Sequence, residues 1–236
     1  MRRAVTTIGF DADDTLWHNE RFFKETERRF AHLLADRAEP ESVLAALLDV
    51  ERRNLALYGY GIKGFVLSMI ETAGEIAGGD PPAEVVREVV AMGREMLRHP
   101  IELLPGVEPA LAALADYRLV LVTKGDLFDQ ERKLEASGLA DRFEGVEIVS
   151  EKTAATYARA FARHGAGPEH AAMVGNSLRS DVLPALEAGA WGVHVPHELI
   201  FALERAEPPE HERFRTLETL HELPALIAEI ERGTAD

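Results

Sequence analysis

Three carboxylates fall within four residues at Asp11-Ala12-Asp13-Asp14, and Thr15 follows directly. Acids this close repel one another, so a cation is their natural neutraliser, and an all-oxygen donor set suits Mg²⁺. The stretch just before them, residues 5–10, is short, apolar and β-branched. That pattern predicts a buried strand running into the acids. Carboxylates at the C-terminal ends of parallel strands stand where open α/β sheets bind ligands. An isolated D-x-D-x-T also reads as a solvated loop that caps a helix. An EF-hand is excluded, because its sixth position takes Gly and here is Leu16, and its twelfth takes Glu and here is Phe22. The metal-binding D-x-D of some glycosyltransferases is a further reading, disfavoured by how early the motif comes.

Three later segments repeat the arrangement of an apolar run ending in chemistry. Leu121-Val122-Thr123-Lys124-Gly125-Asp126 ends in a hydroxyl, then a glycine and a helix-capping acid. A hydroxyl and neighbouring amides there can hold phosphate oxygens. Ser150-Glu151-Lys152-Thr153 places a lysine just past residues 146–149, where it can pair with phosphate and with acids. Val174-Gly175-Asn176-Ser177-Leu178-Arg179-Ser180-Asp181 offers a tight turn at Gly175 and metal-binding oxygens at Asn176 and Asp181. Taken singly, these read as a plain strand–turn–helix, a solvated surface lysine and a pair of serine helix caps. Jointly, four strand ends carry acid–acid, hydroxyl, lysine and amide–acid in order, and that order is hard to obtain by chance.

The elements that must position these groups follow from periodicity. Residues 19–37, 42–58, 65–76 and a stretch ending near Arg98 read as four helices with no strand signal. Asp80 is placed to cap the last of them, with Pro81 at its first position. Residues 99–106 look like a return linker. Beyond it, helices at 107–116, 126–137, 153–164 and 183–188 alternate with strands at 119–123, 146–149, 171–174 and 193–195. Such alternation implies right-handed crossovers and a parallel sheet. Residues 197–218 read as irregular, and 220–230 as a terminal helix. The first strand must join the later ones, because a lone strand cannot satisfy its backbone. The expected fold is a Rossmann-like three-layer α/β sheet, residues 1–16 and 101–236, with a four-helix domain, residues 17–100, inserted after the first strand.

Composition narrows the function classes. Lys plus Arg number 26 and Asp plus Glu 41, a net charge of −15. So acidic a surface repels nucleic acid and anionic membranes, and an anionic substrate needs a local cation. With no cysteine, disulfides, thiolate metal sites and cysteine nucleophiles are excluded; the chain suits a reducing cytoplasm. No signal peptide is expected from the start Met1-Arg2-Arg3, because acids interrupt before an apolar region develops. No run approaches the ~18–20 apolar residues of a bilayer span. His164, His194 and His197 show no ligand spacing and read as structural or exposed.

Asp11-Ala12-Asp13-Asp14-Thr15, Thr123, Lys152 and Gly175-Asn176-Ser177 through Asp181 resemble the motif set of the haloacid dehalogenase superfamily over nearly the whole chain. The resemblance implies that the inserted helices are a subfamily I helical C1 cap. It implies that Asp11 attacks phosphorus and forms an aspartyl-phosphate, and that Asp13 protonates the leaving oxygen and then activates water. Thr123 and the Lys124 amide would hold phosphoryl oxygens, with Lys152 balancing charge. Mg²⁺ would be held by Asp11, the Asp13 carbonyl, Asn176 and Asp181. The superfamily usually has Asp where this chain has Asn176, so the site lacks one charge. Negative charge near Asp13 is expected to raise its pKa.

The implied activity is hydrolysis of a small phosphomonoester, so the partner is a small phosphorylated metabolite. His18, Tyr60 and Lys63 are the candidates for specificity, the last two in Gly59-Tyr60-Gly61-Ile62-Lys63-Gly64, which also reads as a plain helix–helix turn. A 2-haloacid dehalogenase is the nearest rival; it lacks the second acid, so Asp13 argues against it. A phosphosugar mutase shares all four motifs. A phosphorylated receiver domain phosphorylates an acid on a later strand and has no helical insert. A phospho-ligand-binding regulator without catalysis is favoured only by Asn176. Oligomeric state is not encoded in any of these features.

Overall fold

A computed structural model describes residues 4–233, so Met1-Arg2-Arg3, read above against a signal peptide, lie outside the described residues. The chain forms two compact units. The first holds the chain up to His18, Ile101–Lys124 and the chain from Gln130 on; the second holds Asn19–Pro100 and Gly125–Asp129.

The first unit contains six parallel strands: β1 (Thr7–Phe10), β2 (Arg118–Lys124), β3 (Gly145–Val149), β4 (Ala171–Gly175), β5 (Trp191–His194) and β6 (Phe214–Thr216). Their order in the sheet is β3-β2-β1-β4-β5-β6. The chain steps outward from β1 in one direction through β2 and β3, then returns to the other side for β4, β5 and β6. The reversal lies between β1 and β4, where open α/β sheets leave a crevice outside the carboxyl ends of their strands. Phe10 is in register with Leu121 and Val174, so Asp11 emerges at this crevice, while Thr123 and Lys124 extend β2 two residues further.

Helices are numbered along the chain. The second unit holds α1 (Glu20–Leu33), α2 (Pro40–Tyr58), α3 (Ile62–Ala77) and α4 (Ala83–Arg98). Following them are α5 (Val107–Ala113), α6 (Leu127–Ala136), α7 (Ala154–His164), α8 (Leu183–Glu187) and α9 (Leu223–Gly233). Because side chains alternate across a strand, the sheet buries both faces. Ile8, Phe10, Leu119, Leu121, Ala172 and Val174 share a core with residues of α5 and α9. Val120, Val122, Ala171 and Met173 pack with Tyr157 and Phe161 of α7. The second face comes so close at Gly9 that a Cβ there would lie 2.9 Å from Met173 Sδ and 3.0 Å from the Phe161 ring. This is the expected Rossmann-like three-layer architecture.

Two local expectations are corrected. Residues 197–218 were expected to be irregular, yet β6 pairs with β5, Gly192 opposite Phe214. A three-residue edge strand that leaves Thr216 exposed needs no apolar run, so hydrophobic pattern does not reveal it. Nor does Asp80 cap α4, which begins at Ala83 behind Pro82 with no side-chain cap. Proline disfavours the helical region for the residue before it, so Pro81, preceding Pro82, is a poor first helical residue.

Within the second unit, Phe30, Leu34, Val43, Leu47, Phe65, Met69 and Val89 form a separate core. Glu51 of α2 has its carboxyl pushed up to about 8, by burial first and then by the charges of Glu27 and Glu20, which outweigh Lys24. A pKa raised above the unfolded value means that the folded state holds the proton more tightly. The resulting stabilisation is complete below the ordinary 4.5 and is lost as pH rises through about 8. Glu51→Gln is therefore expected to raise the melting temperature above pH 8 and leave it nearly unchanged near pH 4.5. Thermal melts across this range check it; equal shifts at both ends would remove the titration argument.

Candidate functional site

The central strand delivers the first acid. Asp11 N donates to Val174 O at 2.9 Å, extending the β1–β4 ladder one residue past the strand. The chain then folds into a tight loop, with Leu16 N donating to Ala12 O at 2.8 Å and Asp14 N to Trp17 O at 2.7 Å. Trp17 is fully buried in the sheet core and fastens the far end of this loop.

Asp11 and Asp181 share a buried lysine. Lys152 Nζ contacts Asp11 Oδ1 and lies 2.7 Å from Asp181 Oδ1. Asp11 Oδ2 accepts from Thr15 Oγ1 at 3.2 Å, and Asp181 Oδ2 accepts from Ser177 N at 2.9 Å. Gly175 makes room for this: a Cβ there would stand 2.2 Å from Asp181 Oδ2. Burial opposes the charge on Lys152, but Asp11 and Asp181 raise its pKa above the ordinary lysine value. Burial and the Asp181 charge push the Asp11 carboxyl up to about 7 against the pull of Lys152.

Asp13 is held by different groups. Trp17 Nε1 donates to Oδ1 at 2.7 Å, Gln130 Nε2 to Oδ2 at 2.9 Å, and Lys133 Nζ lies 3.0 and 3.1 Å from the two oxygens. Burial works against its charge, yet the Lys133 ammonium and the three donors bring its pKa below the ordinary carboxylate value. The expectation of a raised pKa is thus overturned. It counted the neighbouring acids and did not foresee the lysine that α6 brings to Asp13.

The side-chain amide of Asn176 lies against oxygens of the acid loop. One end of it lies 3.2 Å from Thr15 Oγ1 and 3.3 Å from both the Asp13 carbonyl oxygen and Asp11 Oδ2. With nitrogen at that end, the amide donates to these oxygens. With oxygen there, three oxygens of Asp11, Asp13 and Asn176 converge, and a hard cation is what reconciles them. In that second orientation the donors would fit Mg²⁺. Asp181, expected beside them, turns its two oxygens to Lys152 and Ser177 instead and is fully buried. His194 supports the Asn176 loop from behind, its Nε2 3.1 Å from Asn176 O. Burial lowers its pKa, in keeping with a structural imidazole.

Thr123 is buried at the penultimate position of β2. The Lys124 side chain turns to Ser180 Oγ at 2.8 Å and Glu204 Oε1 at 2.6 Å. Glu204 also accepts from Ser177 Oγ at 2.7 Å and from Ser180 Oγ. His18 donates its backbone N–H to Glu102 O at 3.0 Å. Tyr60 and Lys63 belong to the second unit, where Lys63 Nζ lies 2.9 Å from both oxygens of Asp126, the residue whose Oδ1 also accepts from Asp129 N in the first turn of α6.

Gln130, Lys133 and Glu204 were not found from sequence. Gln130 and Lys133 are three apart on α6 and so share a helix face, a polar stripe that signals a contact without naming its partner. Glu204 sits in a 3₁₀ turn, Ala202–Glu204, inside an otherwise polar segment that gives no signal at all.

A family model described as a haloacid dehalogenase-like hydrolase matches residues 5–189. No curated protein matches the chain. Among solved structures, a haloacid dehalogenase-like family hydrolase from Xanthomonas campestris is 41% identical, with a TM-score of 0.89 over 99% of this chain and 94% of that one. L-2-haloacid dehalogenase from Xanthobacter autotrophicus, solved with chloropropionic acid covalently bound, is 19% identical with a TM-score of 0.65, over 95% of this chain and 98% of that one. A HAD phosphatase from Thermococcus onnurineus is 21% identical with a TM-score of 0.62, over 94% and 98%. The last two likenesses are of fold.

Proposed function

The chain belongs to the haloacid dehalogenase-like hydrolases, and from that premise we propose that it is a Mg²⁺-dependent phosphatase acting on a small phosphomonoester through Asp11. The observation that carries the reading is the placement of Asp11 at the end of the central strand, one oxygen on Lys152 and the other beside the Asp13 carbonyl and Asn176.

In this reading Asp11 attacks phosphorus. The bond from its carboxylate oxygen to phosphorus forms as the bond to the leaving alcohol oxygen breaks. Water then attacks the aspartyl-phosphate, releasing inorganic phosphate and restoring the carboxylate. Such covalent catalysis divides one hard displacement into two easier ones. Phosphoryl transfer depends above all on positioning and charge stabilisation. Lys152 offsets the charge of nucleophile and phosphate, and Asp181 keeps Lys152 aimed. Thr123 and the Lys124 amide hold phosphoryl oxygens. Asp11, the Asp13 carbonyl and Asn176 would hold Mg²⁺, which when bound supplies further positive charge at the phosphoryl group. Asp13, ionised, is suited to take the proton from the attacking water; donating one to the leaving oxygen requires it first to gain that proton despite Lys133.

Substrate selection is assigned to His18, Tyr60 and Lys63, with α1–α4 as a cap. A cytoplasmic setting, free of nucleic acid and membrane partners, is part of the same reading. It is supported by the lack of cysteine and the net charge of −15. Among the described residues, no helix is long and apolar enough to cross a membrane.

Ionised Asp13 favours one second reading. Halide leaves without a proton, so a 2-haloacid dehalogenase needs no acid at that position. The two readings separate on one pair of assays, phosphate release from an aryl phosphate and chloride release from 2-chloropropionate, each with Mg²⁺ and with chelator. The phosphatase reading expects phosphate release that chelator abolishes, and no chloride. Chloride release indifferent to chelator, with no phosphate, would establish the rival.

A further inference from the structure

A second set of ligand-bearing side chains lies in the first unit, none of them among the groups assigned above to phosphoryl transfer. Asp14, His18 and His197 each offer one ligand atom, and these three atoms lie within 4.8 Å of one another. Two belong to the loop that carries Asp11 and Asp13; the third comes from beyond β5, 179 residues further along than His18. No spacing rule along the chain can find such a set, which is why His197 read as structural from sequence.

Three features indicate a site built for a metal. The first is the donor chemistry. Two imidazoles and one carboxylate suit zinc and its first-row neighbours, whereas Mg²⁺ takes oxygen. The second is the orientation of His197. Its Nδ1 lies 3.0 Å from Leu199 O and 3.2 Å from Leu199 N. With Nδ1 donating to Leu199 O, the other nitrogen keeps its lone pair, as in metal-bound imidazoles. That other nitrogen, Nε2, faces Asp14 Oδ1 at 3.7 Å, too far for a hydrogen bond. The ring also stands edge-on to His18, with centroids 5.9 Å apart.

The third feature is strain. Among the described residues Asp14 alone has a positive φ without being glycine, at 60°. The left-handed region is disfavoured for an L-residue, though Asp tolerates it better than most. Glycine would adopt that backbone more easily, and the chain instead keeps a buried carboxylate there.

We propose that Asp14, His18 and His197 bind one first-row transition-metal ion, Zn²⁺ in type, which clamps the nucleophile loop to the segment after β5. Tetrahedral zinc bonds of about 2.0–2.1 Å set ligand atoms roughly 3.3 Å apart, so the three groups close by at most about 1.5 Å, within reach of side-chain rotation. The clamp is distinct from the oxygen site at Asp11, Asp13 and Asn176.

Co²⁺ added to the full chain in excess Mg²⁺ tests it, because tetrahedral cobalt with nitrogen ligands absorbs visibly and Mg²⁺ keeps the oxygen site filled. The expected result is one equivalent of Co²⁺ giving visible bands that Zn²⁺ displaces, with the bands kept in Asp11→Asn and lost in His18→Gln, His197→Gln and Asp14→Gly. Asp14→Gly removes the carboxylate while easing the backbone, and a metal-free melting temperature equal to wild type separates its loss of binding from a folding defect. Zn²⁺ should also raise the wild-type melting temperature by several degrees and that of His197→Gln not at all. Absence of bands in wild type, bands that survive His197→Gln, or bands lost only in Asp11→Asn would overturn the proposal.

Discussion

Asp11→Asn should lower phosphate release by ~10⁴-fold or more while the protein remains folded. An amide is a far poorer nucleophile than a carboxylate, and the other acids of the loop are turned elsewhere: Asp13 is tied to Trp17, Gln130 and Lys133, and Asp14 faces His197 Nε2 at 3.7 Å. Removing a nucleophile forfeits the whole covalent route, and losses of that order or larger follow. The effect on stability has the opposite character. Burial and Asp181 push the Asp11 carboxyl up to about 7 from an ordinary 3.8, so the folded state loses stability as pH rises from the lower value through the higher one. The amide removes this penalty. Asp11→Asn should therefore melt close to wild type below the ordinary 3.8, gain on wild type as pH rises toward about 7, and keep a constant advantage at higher pH, in metal-free buffer. Initial rates, acid-quench trapping of the phosphoenzyme and melts at several pH values check the three parts. Near-normal turnover would sink the nucleophile assignment; a lower melting temperature at high pH would sink the account of Asp11's burial.

The acids, hydroxyl, lysine and amide were legible because each follows an apolar run, and a parallel sheet gathers the ends of such runs at one edge. Residues 5–10, 119–123, 146–149 and 171–174 were each read as strands, and β1 to β4 fall there within two residues at either end. Alternation of strand and helix supplied the rest of the architecture. Register then did what sequence could not. It placed Phe10 between Leu121 and Val174, and so put Asp11 in the crevice where the strand order reverses.

What sequence concealed was which side chains spend their charge on one another. Lys152 was legible as a strand-end lysine, but its bridging of Asp11 to Asp181 depends on a π-helical turn at Leu178–Val182 that no periodicity announces. Lys133 carries no mark in the sequence and is the partner that holds the Asp13 carboxyl below the ordinary carboxylate value. Asp126 was read as a cap and is one, accepting from Asp129 N; its pairing with Lys63 was not foreseen. Electrostatics is set by three-dimensional neighbours, so a pKa argued from chain neighbours alone took the wrong sign at Asp13.

Lys152→Met should destabilise the protein by about 3–5 kcal/mol, the usual result of removing one partner from a buried ion pair. For a chain of this size that is a fall in melting temperature of roughly 6–20 °C. Lys152 is buried against two carboxylates, one of them fully buried. Without the ammonium these two acids face each other with nothing between them, and at least one must take up a proton to remain folded. The deficit should accordingly grow with pH and shrink in acid, where protonation removes the repulsion. Adding Asp11→Asn to Lys152→Met removes one of the opposed charges and should recover much of the loss, so the double variant is more stable than Lys152→Met alone. Such a non-additive cycle isolates the coupling between the two positions. A methionine keeps nearly the same length and fills the same space, so cavity formation contributes little, and the pH dependence separates charge from packing. A pH-independent loss, or a double variant weaker than either single one, would mean that Lys152 acts mainly through its aliphatic stem and that the Asp11–Lys152–Asp181 bridge is not what holds the strand ends together.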